Sequence, residues 1–150
     1  MIDRTTSIDR SGPLMDEIEF LALKAFADGT RLVNARLQEA GLRARSYSVL
    51  AVACSPVPMN QRELAALLEL DPSQVVALVD ELVDRALVER VTDDRDRRSR
   101  IVQALPDGRA LFRRARLLTA GAEAEALAML SDEERALLRG LLQKIVLHHD

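Results

Sequence analysis

The sequence predicts a mainly α-helical chain carrying one small β-hairpin, and three observations carry that prediction. Hydrophobic residues make up 48% of the chain while aromatics make up only 3%, so the bulk is Leu, Ala and Val among Arg, Glu and Asp. Such side chains lose little rotamer freedom in a helix. Between Asn60 and Ala86, two apolar stripes at three-and-four spacing follow each other, each opened by capping residues. After Ala86 the pattern changes to short runs rich in β-branched residues on either side of a charged loop. At 150 residues the chain suits one domain with a real core rather than two independent ones.

Met1–Pro13 carries charges throughout with no apolar core, so it reads as a flexible tail and not a signal peptide. The helical pattern runs from Leu14 to Leu37, with Phe20, Leu21, Leu23, Phe26, Leu32 and Val33 supplying apolar faces and Gly29 as a point of bending or interruption. A second helix is expected over Ala44–Ala53 with Tyr47, Leu50, Ala51 and Cys54 inward, ended by the two prolines of Ser55–Met59.

Asn60 opens the third helix, with Glu63 as its reciprocal cap and Leu64, Ala65, Leu67 and Leu68 as its apolar positions. The turn Glu69-Leu70-Asp71 leads into Asp71-Pro72-Ser73-Gln74, where Asp suits the N-cap, Pro the first helical position and Gln74 a reciprocal partner. Val75, Leu78, Val79, Leu82 and Ala86 then form one buried stripe. Two short capped helices separated by a tight turn make a helix-turn-helix.

Leu87–Val91 and Arg100–Ala104 read as the strands of a hairpin, the wing, around the loop Thr92–Ser99. Helix resumes near Asp107 and continues to about Leu127, and Ser131 with Glu134 opens a last helix. The pairs Leu137/Leu138, Leu141/Leu142 and Ile145/Val146 give that helix an apolar stripe too wide for a lone terminal helix to expose.

The formal net charge of −3 argues mildly against a nucleic-acid partner, but phosphate contact depends on local charge. Four Arg against one Asp between Arg95 and Arg100 make that segment locally basic, while the acidic surplus sits at Asp80–Asp84 and Asp132–Glu134. Cys54 is alone, so no intrachain disulfide forms and secretion gains no support. The longest uncharged stretch, Ser46–Gln61, is too short to span a bilayer, and a cytoplasmic protein is expected. Both His residues, His148 and His149, are terminal and lack partners for a metal site. With no nucleophile–base pair and no Gly-rich phosphate loop, neither catalysis nor a cofactor is expected.

The stretch NQRELAALLELDPSQVVALVDELVDRALVER from Asn60, then DDRDRRSRIV and PDGRAL, resembles the MarR (multiple antibiotic resistance regulator) family. The run Leu82–Val88, the triplet Asp96-Arg97-Arg98 and the pair Gly108-Arg109 stand in the family's order and spacing, and a weaker likeness extends from about Leu14 to Val146. The resemblance implies a winged helix-turn-helix with N- and C-terminal dimerisation helices. The domain then covers 14–150, its DNA-binding part about 44–104 and its dimerisation helices about 14–37 and 107–148.

It further implies a homodimer binding a pseudo-palindromic operator in double-stranded DNA, most often as a repressor released by a small-molecule effector in a cleft between the dimer and DNA-binding parts. Three positions depart from the family pattern: Ala86 where Gly is usual, Leu105 where Thr is usual, which shifts the expected cap of the fifth helix to Asp107, and Ala77 where a polar or basic residue is frequent. Family members that sense peroxide carry their reactive Cys near the start of the first helix, where this chain has none, so Cys54 is read as a structural thiol.

Ser73, Gln74, Val76 and Ala77 face away from the buried stripe of the fourth helix, and a recognition helix reads base edges with such N-terminal residues. Gln pairs with adenine, Ser bonds either way, and Val or Ala touches a thymine methyl. The competing reading makes them a solvated face with Ser73 and Gln74 as caps. On the wing, Arg95, Arg97 and Arg98 either meet DNA, where a narrow minor groove attracts arginine, or pair with the neighbouring aspartates. Both are expected, one arginine ordering the loop through Asp96. Phe20, Phe26, Tyr47 and Phe112 are read as core rather than pocket. An effector-independent DNA binder, or an adaptor that kept the fold without DNA binding, remain alternative functions.

Overall fold

The computed structural model describes residues 12–57 and 59–148, so the expected tail lies, through residue 11, outside the described residues, as does His149. A 3₁₀ turn at Pro13–Asp16 leads into α1, Ile18–Leu37. This helix continues unbroken through Gly29. One glycine costs a helix about 1 kcal/mol relative to alanine, which a 20-residue helix absorbs when it packs along a neighbour.

Its C-terminal turn closes on Gly41, whose φ of 64° is left-handed. There the Leu42 N–H donates to the Leu37 carbonyl at 3.0 Å. The same closure recurs at Glu69 (φ 51°) and Ala86 (φ 54°), both of which carry a Cβ that disfavours this conformation.

α2 spans Ala44–Ala53, and its first N–H donates to Asn34 Oδ1 of α1 at 2.8 Å. Its buried face is Ser46, Val49, Leu50 and Ala53, while Tyr47, Ala51 and Cys54, expected inward beside Leu50, are half-buried. The displaced phase arises because two sides of α2 are covered. One meets the helix-turn-helix, and the other meets α5 (Pro106–Ala126), where Tyr47 stacks on Phe112 with ring centroids 5.8 Å apart.

α3, Gln61–Leu68, has the expected capping box: Asn60 Oδ1 accepts from the N–H groups of Arg62 and Glu63, and Glu63 Oε2 accepts the Asn60 N–H at 2.7 Å. Leu64 and Ala65 are buried, but Leu67, expected with them, is exposed. α4, Pro72–Asp84, buries Val75, Val79 and Leu82, with Leu78 half-buried. Ala86 lies past its end and is exposed, outside the stripe predicted for it.

The wing strands are β2, Val88–Thr92, and β3, Arg100–Ala104, antiparallel with Arg90 opposite Val102. A third strand, β1 at Met59–Asn60, pairs with the other edge of β3. It went unread in the sequence because two residues show no alternation.

α5 begins with Pro106 in its first turn, and Leu105 is its N-cap without a side-chain bond, so the cap does not shift to Asp107. Proline's fixed φ starts the helix, and the Leu105 N–H is satisfied by the Leu87 carbonyl at 2.9 Å. α6, Asp132–Val146, opens on the predicted Ser131/Glu134 box. The core gathers Leu37, Leu42, Val49, Leu50, Leu64, Val75, Val79, Leu82, Val88, Val102 and Ala115 between α1, α2, α4, α5 and the sheet. The result is a mostly helical winged-helix fold with a three-stranded antiparallel sheet.

Two helices leave apolar faces in solvent. Ile18, Leu23 and Phe26 of α1 are 81%, 63% and 70% exposed. α6 buries no residue, with Leu137, Leu141, Leu142, Ile145 and Val146 all exposed. Phe26, expected in the core, is therefore a surface residue of the single chain.

Candidate nucleic-acid interface

α4 projects Ser73, Gln74, Val76 and Ala77 into solvent from its first turns. The alternative capping role is real for Gln74, whose Oε1 accepts the Asp71 N–H at 3.3 Å. Its amide nitrogen, two donors, is not used by that bond. Further along the helix the charge turns acidic, but two of the three carboxylates are matched. Asp80 pairs with Arg90 of β2, and Glu81 faces Arg85 at 3.4 Å. Arg90 also donates through Nε to Gln61 Oε1 at 3.0 Å, so one guanidinium ties wing, α3 and α4 together. Arg85 likewise reaches the Gly41 carbonyl at 2.9 Å, anchoring the end of α4 to the turn before α2.

The wing loop is organised by an acid the sequence reading did not choose. Asp93, 4% exposed, accepts the Arg95 backbone N–H at 2.9 Å and receives Arg95 Nε and Nη2 at 3.0 and 2.8 Å. These bonds from Arg95 hold the Asp93 carboxyl below its ordinary range and raise the guanidinium. Arg95 also stands 3.8 Å from Glu63, the capping carboxylate of α3. Asp96 instead accepts the Arg98 backbone N–H at 3.0 Å, and its own carbonyl takes the Ser99 N–H. Asp93, not Asp96, therefore partners the ordering arginine. The side chains of Arg97 and Arg98 are exposed and make no ion pair among the described residues.

Behind α4 lies a cavity of about 850 Å³ between α1, α2 and the helix-turn-helix. Phe26 and Asn34 line it from α1, Arg43 and Arg45 from the start of α2, and Gln74 and Ala77 from α4. These pocket residues come from three separate segments, so no local pattern in the sequence marks them. Cys54 is half-buried beside Arg109 and Arg113 of α5, a basic pair invisible in its own neighbourhood of sequence. Burial nevertheless dominates and pushes the thiol up. Among the described residues no cluster of His, Cys, Asp and Glu could hold a metal ion, and no helix is long and apolar enough to cross a membrane.

The MarR family profile matches residues 40–99, the helix-turn-helix and most of the wing. A solved MarR-family transcriptional regulator from Rhodococcus sp. RHA1 is 40% identical, with a TM-score of 0.84 over 90% of this chain and 96% of that one. The chain belongs to the MarR family.

This MarR-family regulator is also 40% identical to CouR from Rhodococcus jostii RHA1, solved bound to p-coumaroyl-CoA, with a TM-score of 0.80 over 90% of this chain and 95% of that one. A Thauera aromatica protein named for transcriptional regulation of the hcr operon is 30% identical over 105 residues. That match takes in 70% of this chain and 63% of the Thauera protein, so it spans just under two thirds of that relative's length.

Proposed function

We propose that this MarR-family chain is a homodimeric repressor that binds a pseudo-palindromic site in double-stranded DNA and is released by an anionic aromatic effector. The observation carrying the DNA role is the outward face of α4. Its first turns present Ser73, Gln74, Val76 and Ala77, while Arg90 and Arg85 offset the acids that would repel phosphate further along. Gln74 offers two amide donors to a base edge, and Val76 and Ala77 offer methyl groups to thymine. On the wing, Arg95 clamps the loop through Asp93, and Arg97 and Arg98 supply the backbone and minor-groove contacts. The apolar faces of α1 and α6 pair with those of a second copy, which places one α4 on each half-site. The DNA-binding part is 44–104, and the helices over 14–37 and 107–148 form the dimer. A DNA partner of this kind implies a cytoplasmic protein with no catalytic role.

The effector cavity has an aromatic wall at Phe26 and two cations at Arg43 and Arg45. An aromatic acyl thioester of coenzyme A, the class of ligand seen with CouR, matches both features. Because Gln74 and Ala77 border the same cavity, an occupant touches the base-reading helix itself. The test is fluorescence anisotropy of a labelled duplex from upstream of the gene, titrated first with protein and then with p-coumaroyl-CoA. Binding followed by release, with release weakened in Arg43→Gln, is expected. No binding to any upstream duplex would end the DNA proposal, whereas binding indifferent to the thioester would end the effector proposal alone.

A further inference from the structure

The turn between α1 and α2, residues 38–43, is held by arginines from two parts of the molecule. Arg114 of α5 donates through Nη2 to the Glu39 carbonyl at 2.9 Å. Arg85, at the C-terminal end of α4, donates through Nη1 to the Gly41 carbonyl, also at 2.9 Å. The Gln38 carbonyl takes the Gly41 N–H at 3.0 Å, which sets the tight closure of the turn. A Cβ on Gly41 would stand 3.4 Å from Arg85 Nη2, so the guanidinium lies directly against the backbone it holds.

The turn is fixed to the arm helices. Leu37, Ala40 and Leu42 anchor it by burial, and Arg36, just before it, pairs with Glu125 of α5 at 2.8 Å. Residues 38–42 therefore move with α1 and α5. α4, by contrast, packs on α2, α3 and β2. Val75, Val79 and Leu82 hold α4 to the core through apolar contact, which is non-directional. The Arg85 bond adds direction, because an N–H···O bond tolerates only about 2.7–3.2 Å.

Direction matters here through leverage. At about 1.5 Å of rise per residue, Gln74 stands about 16 Å along the helix from Arg85, and a pivot of about 10° at the Arg85 end would carry it about 3 Å. Adjacent base pairs are about 3.4 Å apart, so such a pivot shifts the reading by nearly one step. The stability at stake is small by comparison: Arg85 and Glu81 stand 3.4 Å apart with both side chains solvated, and exposed pairs of that kind contribute little.

We infer that Arg85 and Arg114 are positioning residues for DNA recognition, making this turn the joint that sets the angle of α4 on the dimer arm; the inference rests on the reading of the chain as a homodimer on DNA. Neither side chain reads a base. Arg85 acts through α4 and Arg114 through the turn. With the joint intact, the two α4 helices of a dimer keep one separation, and sites with half-sites nearer together or further apart are rejected.

The full-length protein is tested by anisotropy on an upstream duplex that it binds, and on versions with one base pair inserted or removed between the half-sites, a change of about 3.4 Å and about 35°. The parent should lose about tenfold or more in affinity on both altered duplexes, the loss expected when base contacts in one half-site are misaligned. Arg85→Met keeps the aliphatic stem without a donor, and the penalty should shrink to about threefold or less, as should that of Arg114→Met. Arg139→Met, which breaks an arm ion pair away from the turn, should keep the parental penalty. The penalty is a ratio of two affinities, so the lost positive charge and any general loss of stability cancel from it. Thermal melts verify folding, and Arg114→Met carries the test by itself if Arg85→Met does not melt cooperatively. A parental penalty in the folded Arg85 and Arg114 variants, or equal relaxation in Arg139→Met, overturns the inference, and so does a parent indifferent to spacing. A parent that binds no upstream duplex brings down the DNA reading itself, and this inference with it.

Discussion

Gly108→Ala, at the junction of wing and α5, is expected to cost far more than a single methyl group suggests. An ideal Cβ at this position falls 2.0 Å from the Leu87 carbonyl oxygen, 2.9 Å from its carbon and 3.3 Å from Leu50 Cδ1. Carbon–oxygen contacts begin at about 3.3 Å, so α5 must retreat by more than 1 Å. The atom in the way is backbone and has no rotamer to swing aside. The same Leu87 oxygen accepts the Leu105 N–H at 2.9 Å, and the retreat stretches that bond too. Overpacking costs about 1–3 kcal/mol and a lost hydrogen bond about 1 kcal/mol. Alanine's better helix propensity returns about 0.5–1 kcal/mol. The net loss is about 1–3.5 kcal/mol, a substantial share of a stability of about 5–15 kcal/mol. Urea unfolding followed by circular dichroism, at fixed protomer concentration, should show the midpoint falling by about 1 M. Gly121→Ala on the same helix meets nothing within 4 Å and should be neutral or gain up to about 1 kcal/mol. A Gly108→Ala variant within about 0.5 kcal/mol of the parent, the scatter of ordinary surface changes, would refute the steric reasoning.

Ala86→Gly should raise stability by about 0.5–1 kcal/mol, because the left-handed φ of 54° strains alanine while glycine adopts it freely; a lower unfolding midpoint would contradict this. Cys54→Ser should leave any response of DNA binding to peroxide unchanged, since burial keeps the thiol protonated. Peroxide-driven release that disappears in the variant would make Cys54 a sensor. The Asp93 carboxyl titrates below its unfolded value, so its stabilising bond to Arg95 is complete above the ordinary carboxylate range and is lost as pH falls through the lowered value. Asp93→Asn should therefore flatten the decline in stability under acid, and identical acid profiles for the two proteins would show that this pair contributes nothing.

What could be read in the sequence is what side chains do within three or four residues. The Asn60/Glu63 and Ser131/Glu134 boxes, and Pro72 opening α4, are local devices and appear as predicted. The wing was legible as a change of period, but its internal pairing was not. Asp93 and Asp96 are near-equivalent neighbours of Arg95, and the choice between them depends on a loop closed by the Asp93 N–H to the Ser99 carbonyl at 3.0 Å. The departure at Leu105 was visible, yet its outcome turned on the approach of Leu87 from across the chain. Of the candidate site, α4's exposed residues followed from the helical period. The cavity of Phe26, Arg43 and Gln74, and the basic pair beside Cys54, join segments whose proximity only the packed helices create. Phe26 was misplaced in the core because sequence hydrophobicity does not show which face of a helix the rest of the chain covers.

If α4 reads bases while the tip of the wing grips the backbone, a salt titration of Arg97→Ala/Arg98→Ala separates the two roles. Affinity for an upstream duplex and for its scrambled counterpart is measured by anisotropy across a range of salt concentrations, with Arg95 left intact so that the Asp93 clamp holds the loop. Each lost phosphate contact should lower the slope of log affinity against log salt by about one unit. The double variant should bind both duplexes more weakly, with a shallower slope and a preserved preference for the upstream sequence. A parental slope in the double variant, or a parent protein that binds the two duplexes equally, would contradict this division of roles.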